Sequence, residues 1–283
     1  VDTAEIRNFP RNTLIPVVVT LKGTEPGTFI RDVTPTPDSL TVRVSHQFVQ
    51  IPDGAYTPRA FHPRSGYFDL FYRDYAAPLG EPRGKRLIYR HSLKQGETLQ
   101  YYVDNGTPEP VRSALLEGAS WWKDAFEAAG FENGFAVDVL PEGVDPLDVR
   151  YNVIQWVHRS TRGWSYGGSV ADPRTGQILK GHVSLGSLRV RQGQLIAEAL
   201  TAPFTSPDTR PTAAMKMALA RLRQLSAHEV GHTLGIDHNF AASSSGDASV
   251  MDYPHPNLYL DQQGQVRLDQ AYQAGVSPWD RLA

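Results

Sequence analysis

Residues 228–238 read His228-Glu229-Val230-Gly231-His232-Thr233-Leu234-Gly235-Ile236-Asp237-His238. On a helix, side chains four residues apart differ by about 40° in rotation and about 6 Å in rise. The imidazoles of His228 and His232 can therefore reach one ion from one helix face. Glu229 stands one position on, beside that ion and not bound to it, which suits a base acting on a metal-bound water. Gly235 can take φ > 0, so the chain can leave the helix there and swing back. His238 then arrives on the returning segment as a third ligand. Three neutral nitrogens and one open position describe a catalytic zinc site, not a closed structural one. The competing reading is a helix with surface histidines and an ordinary Gly stop. It has to produce five fixed positions by accident.

Those groups need a long helix and a sheet to hold it. A helix is expected from Thr209-Arg210-Pro211 to Leu234, with Met215, Leu219, Leu222, Val230 and Leu234 as its buried stripe. A first helix is expected after Thr107-Pro108, with Thr at the N-cap, Pro in the first turn and Gly130 at its end. Val111, Leu115, Trp122 and Phe126 would share one face of it. Runs at residues 99–103, 135–140, 151–157 and 181–185 read as strands, and residues 172–176 as a turn. Residues 14–21, 40–45 and 68–73 are β-branched or alternating, and Pro and Gly clusters at 34–37, 52–54 and 78–84 punctuate them. The polar stretch 94–97 marks a boundary between a β-rich N-terminal domain (1–97) and an α+β domain (98–283).

Composition narrows the function. The chain has 283 residues, 40% of them hydrophobic and 20% charged, enough for a real core. Its 24 Gly and 21 Pro favour loops and strands over a helical bundle. A net charge of −2 provides no basic field for nucleic acid or an anionic membrane. Cysteine is absent, which excludes disulfides, thiolate zinc sites and thiol catalysis. No apolar run approaches the roughly 20 residues that span a bilayer. The chain opens on Val1 without a signal peptide and so reads as a processed piece. Oligomeric state has no signature here.

The segment 228–238 resembles the zinc signature of the metzincin metallopeptidases. That clan also carries a Met-turn beneath the metal, and Ser249-Val250-Met251-Asp252-Tyr253-Pro254 follows His238 here. His238-Asn239-Phe240 followed by Met251-Asp252-Tyr253-Pro254 resembles more narrowly the bacterial met-zincin group of large exported proteases. Residues 61–68 resemble a segment of the domains of unknown function that precede the catalytic module in that group. Asn239 departs from the astacin pattern, which has Glu after the third histidine. The resemblance implies a metzincin-like domain with a mixed, mostly parallel twisted sheet and two long helices. It would divide into an upper subdomain (98–240) and a Met-turn with a truncated lower subdomain (241–283), the chain stopping inside the family's catalytic module. It further implies export, an apolar floor under the imidazoles from Met251, and a role for Tyr253 as a swinging ligand and oxyanion donor. In this clan an edge strand binds substrate in extended form, and the corresponding strand here would be Gly181-His182-Val183-Ser184-Leu185-Gly186. His182 itself reads as a surface or core residue more readily than as a cleft residue.

The expectation is thus a zinc-dependent endopeptidase with one Zn²⁺ on His228, His232 and His238. Glu229 serves as general base, Gly235 and Met251 as structural support, and a polypeptide as substrate. Its rivals are a zinc-bearing binding module without turnover, with the N-terminal domain lying over the cleft, and a non-peptide amide hydrolase on the same scaffold. A distant Glu as third ligand is disfavoured by the Gly235–His238 arrangement. His46, His62, His91, His158 and His255 lack ligand spacing and read as structural. Residues 163–168 are Gly-rich but lack the Lys-Ser/Thr ending of a phosphate loop.

Overall fold

A computed structural model describes residues 5–22, 39–159, 164–201, 210–244 and 249–283. The fold is α+β. The Pro/Gly cluster at 34–37, the helix start at Thr209 and Gly163 lie outside the described residues.

The chain divides into two compact units. The first comprises residues 1–53 and 147–150. In it β1 (Arg7–Asn8), β2 (Asn12–Lys22) and β3 (Ser39–Val49) form an antiparallel sheet, with Leu14 opposite Gln47 and Val19 opposite Val42. Residues 147–150 return to it: Asn12 Nδ2 donates to the Leu147 carbonyl at 3.0 Å, and Val149 N–H donates to Asn12 Oδ1 at 3.0 Å. One polar side chain thus joins segments more than 130 residues apart.

The second unit comprises residues 54–146 and 151–283. This division falls at Asp53/Gly54, well before the polar stretch at 94–97. Residues 54–97 keep company with the C-terminal part for a reason visible in the backbone. Phe68 N–H donates to Gly235 O and Asp237 N–H donates to Gly66 O, each at 2.8 Å. The run 66–68 therefore splints the segment that leaves the long helix. A hairpin of β4 (Asp69–Arg73) and β5 (Gly84–Ile88) follows, then β6 (Arg90–His91).

The main sheet runs β10-β11-β9-β7-β8, with β6 beside one end of β11. Its strands are β7 (Leu99–Val103), β8 (Phe135–Val139), β9 (Asn152–Val157), β10 (Tyr166–Ala171) and β11 (Gln177–Gly186). All pairs are parallel except β10 with β11, which are joined by the hairpin at 172–176. Asp172 closes that turn, accepting Arg174 N–H at 2.8 Å and the Arg174 guanidinium. The mixed, mostly parallel sheet expected of the fold is present.

Five α-helices lie among the described residues: α1 (Val111–Ser120), α2 (Trp122–Ala128), α3 (Leu188–Thr201), α4 (Arg210–Thr233) and α5 (Pro278–Leu282). The helix expected from Thr107 begins later and breaks once. Thr107 makes no cap bond. Glu109 does that work instead, accepting Ser113 N–H at 3.2 Å and Ser113 Oγ–H at 2.7 Å. Helix α3 has no counterpart in the sequence reading: Gly193 interrupts its pattern, and Leu195 and Ile196 remain about half exposed. Helix α4 has the expected length, 24 residues. It packs on α1, α3 and the sheet. The core between them gathers Tyr101, Leu115, Trp122, Phe135, Val183, Leu185, Val230 and Met251.

The expected substrate-binding edge at His182, Val183, Ser184 and Leu185 is corrected by this topology. These residues lie in β11, which is paired on both sides. Val183 faces Gly167 of β10 and Ile154 of β9, and Ser184 faces Tyr166 and Gln155. Val183 and Leu185 are fully buried. Among the described residues β10 and β8 are the terminal strands of this sheet, and β10 is the one beside β11; its adjacent Gly167 and Gly168 depress strand propensity and hide it from pattern reading.

Candidate metal centre

The last two turns of α4 carry His228, Glu229 and His232. The helix ends where its sequence requires. Gly235 has φ +99°, and an added Cβ would stand 2.1 Å from the Tyr89 carbonyl oxygen. The chain turns back there, held by Gly66 and Phe68, and delivers His238. One ligand nitrogen from each of His228, His232 and His238 lies within 4.8 Å of the others. The Nε2 atoms of His232 and His238 are 3.2 Å apart. The rings of His228 and His238 each stand 4.7 Å from that of His232, nearly perpendicular to it.

Ring orientation is fixed from behind. His228 Nδ1–H donates to the Val250 carbonyl at 2.7 Å, and His232 Nδ1–H donates to the Ile236 carbonyl at 2.8 Å. Each bond selects the tautomer whose Nε2 lone pair faces the other imidazoles. Burial holds both rings neutral: it lowers the pKa of His228 to about 3, helped by the nearby His232, and lowers that of His232 as well. A set of neutral, pre-aimed Nε2 atoms fits zinc.

Glu229 is buried, with 4% of its surface exposed. Desolvation raises its pKa to about 7, opposed by the N–H of Gly167 on β10 and the charges of Arg221 and Arg189. A carboxyl poised there can both take and return a proton near neutrality.

Met251 is fully buried, and its sulfur lies against α4 at Gly231, where an added Cβ would come within 2.3 Å of it. It sits under the helix turn that carries the two histidines. Tyr253 is half exposed above the site, its ring 4.7 Å from His238 and 5.3 Å from His228. Partial burial raises its pKa, reinforced by Glu229. His182 has no contact with the cluster among the described residues. Burial, with Lys180 nearby, lowers its pKa to about 4. His91 is packed under the end of α4, with Nε2 3.1 Å from Thr233 O.

Sequence reasoning missed the tether of the Met-turn. Asp280 on α5 is buried and accepts Ser277 N–H at 2.7 Å, Val250 N–H at 3.1 Å and the Ser249 hydroxyl. Ser277 completes a capping box with it. The pattern Ser277-Pro278-Trp279-Asp280 was the available signal, a cap followed three residues on by an acid. Asn239 N–H donates to Met251 O at 3.0 Å, so the turn also grips the residue after the third histidine.

A three-histidine site with a neighbouring carboxyl, carried on a long helix against a mostly parallel sheet, defines a zinc-metallopeptidase-like class. The family comparison agrees: residues 210–283 match the family model described as Met-zincin, and residues 1–95 match one described as a domain of unknown function (DUF5117). The C-terminal part of the chain is thus similar to the Met-zincin family and its N-terminal part to the DUF5117 family. No curated protein and no solved structure matches it. Among the described residues no helix is long and apolar enough to cross a membrane.

Proposed function

We propose that this protein is a zinc-dependent endopeptidase. The observation that carries the reading is the convergence of His228, His232 and His238, with two ring tautomers locked by backbone carbonyls and the raised-pKa carboxyl of Glu229 beside them. A zinc ion held there would acidify a water toward a pKa of about 7 and polarise the scissile carbonyl. Glu229 takes the proton of the attacking water and passes it to the leaving amine. The Tyr253 phenol, close above the histidines, donates a hydrogen bond to the developing oxyanion. The free side of β10 pairs with an extended substrate backbone, in place of β11. The family boundary near residue 97 is kept for the preceding domain (1–97) and the peptidase module (98–283), although residues 54–97 pack within the second compact unit; export follows from the family resemblance.

The test is Glu229→Ala. It retains one zinc per chain by metal analysis and loses about 10²–10⁴ in peptide hydrolysis. Hydrolysis at the unaltered rate overturns the assignment.

A further inference from the structure

Beside the candidate metal centre, α4 carries a cation that no carboxylate among the described residues pairs with in an ion pair. Arg221 precedes His228 by seven residues, two helical turns, so the two side chains leave α4 about 20° apart around its axis. Its guanidinium lies over the Tyr272 ring, 5.6 Å from the centroid. Among the described residues it makes no hydrogen bond and no ion pair, and its Nη1 is shut off from solvent without a partner. Arg189, on the adjacent helix α3, has a buried Nε in the same condition. Its Nη1 has one weak partner, Gln192 Oε1 at 3.3 Å. The two arginines lie within electrostatic reach of each other and of Glu229, and Arg221 also of Tyr253. Guanidinium groups stay charged at any pH a protein tolerates. Holding two like charges near each other, each with a nitrogen shut off from water and unpaired, is unfavourable unless something provides a paired anion. Glu229 does not, because no ion pair joins it to either arginine, and Gly167 already holds it.

We propose that Arg221 and Arg189 form a carboxylate-binding subsite of the cleft, so that the preferred polypeptide substrate places an anionic group there. The planar N–H fork of arginine matches a carboxylate, and the flat face of Tyr272 keeps the Arg221 fork in register. The carboxylate comes from an Asp or Glu side chain or from the C terminus of the peptide. Both sources present the same chemistry to the arginines. The proposal rests on the peptidase reading for its substrate, but binding tests it without turnover.

The experiment uses the zinc-loaded full chain and a panel of labelled peptides. Asp is exchanged for Asn at each position in turn, and each peptide is made with a free and with an amidated C terminus. Cleavage is read in the unaltered protein and binding, by fluorescence anisotropy, in a Glu229→Gln background. The expected Asp/Asn ratio at one position, or the free/amidated ratio, is about tenfold, the scale of one charge-assisted hydrogen-bonded pair. That ratio falls to about one in Arg221→Gln, falls partway in Arg189→Gln and survives in Arg221→Lys. Which ratio responds names the source of the carboxylate. Cleavage without either preference overturns the subsite and leaves the peptidase reading standing. Arginine-dependent selective binding without any cleavage keeps the subsite and overturns the peptidase reading. Absence of selectivity in both arms overturns the subsite.

Discussion

Two stretches of the molecule hold the same imidazoles by different means. The first, residues 228–238, works mostly through near neighbours: helix spacing aligns His228 with His232, Gly235 reverses the chain, and the Nδ1–H of His232 is caught by a carbonyl four residues ahead. The second is assembled from pieces. The carbonyl that orients His228 lies 22 residues on, in the Met-turn, and that turn is fixed in place by Asp280, a further 30 residues along. His232 is thus positioned by its own neighbourhood and His228 by the C-terminal part of the fold. Short-range chemistry sets which atoms could bind a metal. Long-range hydrogen bonds set how firmly they are held.

The sharpest break in this comparison is to remove a ligand from the local stretch. His238→Ala, or His232→Ala, leaves two imidazoles and no pre-aimed trio, and the protein no longer holds one zinc per chain after dialysis against a weak chelator. Full zinc occupancy in His238→Ala would mean that a residue outside 228–238 supplies the third ligand.

The end of the local stretch also depends on a distant residue. His91 is buried beneath Thr233, and burial lowers its pKa from 6.5 to about 4. The folded state therefore resists protonation that the unfolded chain accepts. Stability is full above pH ~6.5 and falls as the pH drops toward about 4, because the unfolded state binds the extra proton through that range. One side of the ring opens on a cavity of about 330 Å³, which softens the penalty. The expected loss is about 2 kcal/mol. Denaturant unfolding of the metal-free protein across that range, compared with His91→Asn, isolates the contribution; parallel pH profiles for the two proteins would refute it.

Asp280→Asn probes the assembled stretch directly. An amide keeps the shape but cannot accept both N–H groups and the Ser249 hydroxyl as a carboxylate does. The Val250 carbonyl then loosens its hold on His228, and zinc affinity falls about 10–100-fold, the usual cost of disturbing a ligand's outer partner. Competition against a chromophoric chelator measures it, and the spectrum of the cobalt-substituted protein reports a changed ligand field that a simple loss of stability does not produce. Unchanged affinity and spectrum would show that His228 is held as locally as His232.

The same contrast decides what could be read from the sequence. The convergence of the three histidines, the length of α4 and most strands of the main sheet were legible because their signals are local: spacing of four, period two, a Gly at a required turn. The edge strand was not. Gly167 and Gly168 carry no apolar alternation, so β10 was visible only once β11 was seen paired on both faces. Arg189 and Arg221 were equally silent, and Asp280 showed only as a helix cap, not as the tether of the Met-turn. A carboxylate 30 residues from its partners leaves no periodic trace, and an arginine reveals itself as unpaired only when every neighbour is in place. The role of residues 66–68 in bracing the segment to His238 was hidden for the same reason, and through it residues 54–97 group by contacts with the C-terminal part.

Met251 separates the backbone of the Met-turn from its side chain. The carbonyls of Val250 and Met251 engage His228 and Asn239, whereas the methionine sulfur makes only packing contacts against Gly231 and its surroundings. If the turn holds the site through its backbone, Met251→Leu is nearly silent at the metal. Leucine has a similar volume, so the expected cost is under about 1.5 kcal/mol of stability. Zinc affinity then changes much less than in Asp280→Asn, and the cobalt spectrum stays in place. Thermal unfolding and chelator competition on the two variants, run side by side, give the answer. A fall in affinity as large as that of Asp280→Asn would move the orienting role from the carbonyl of residue 250 to the thioether of residue 251.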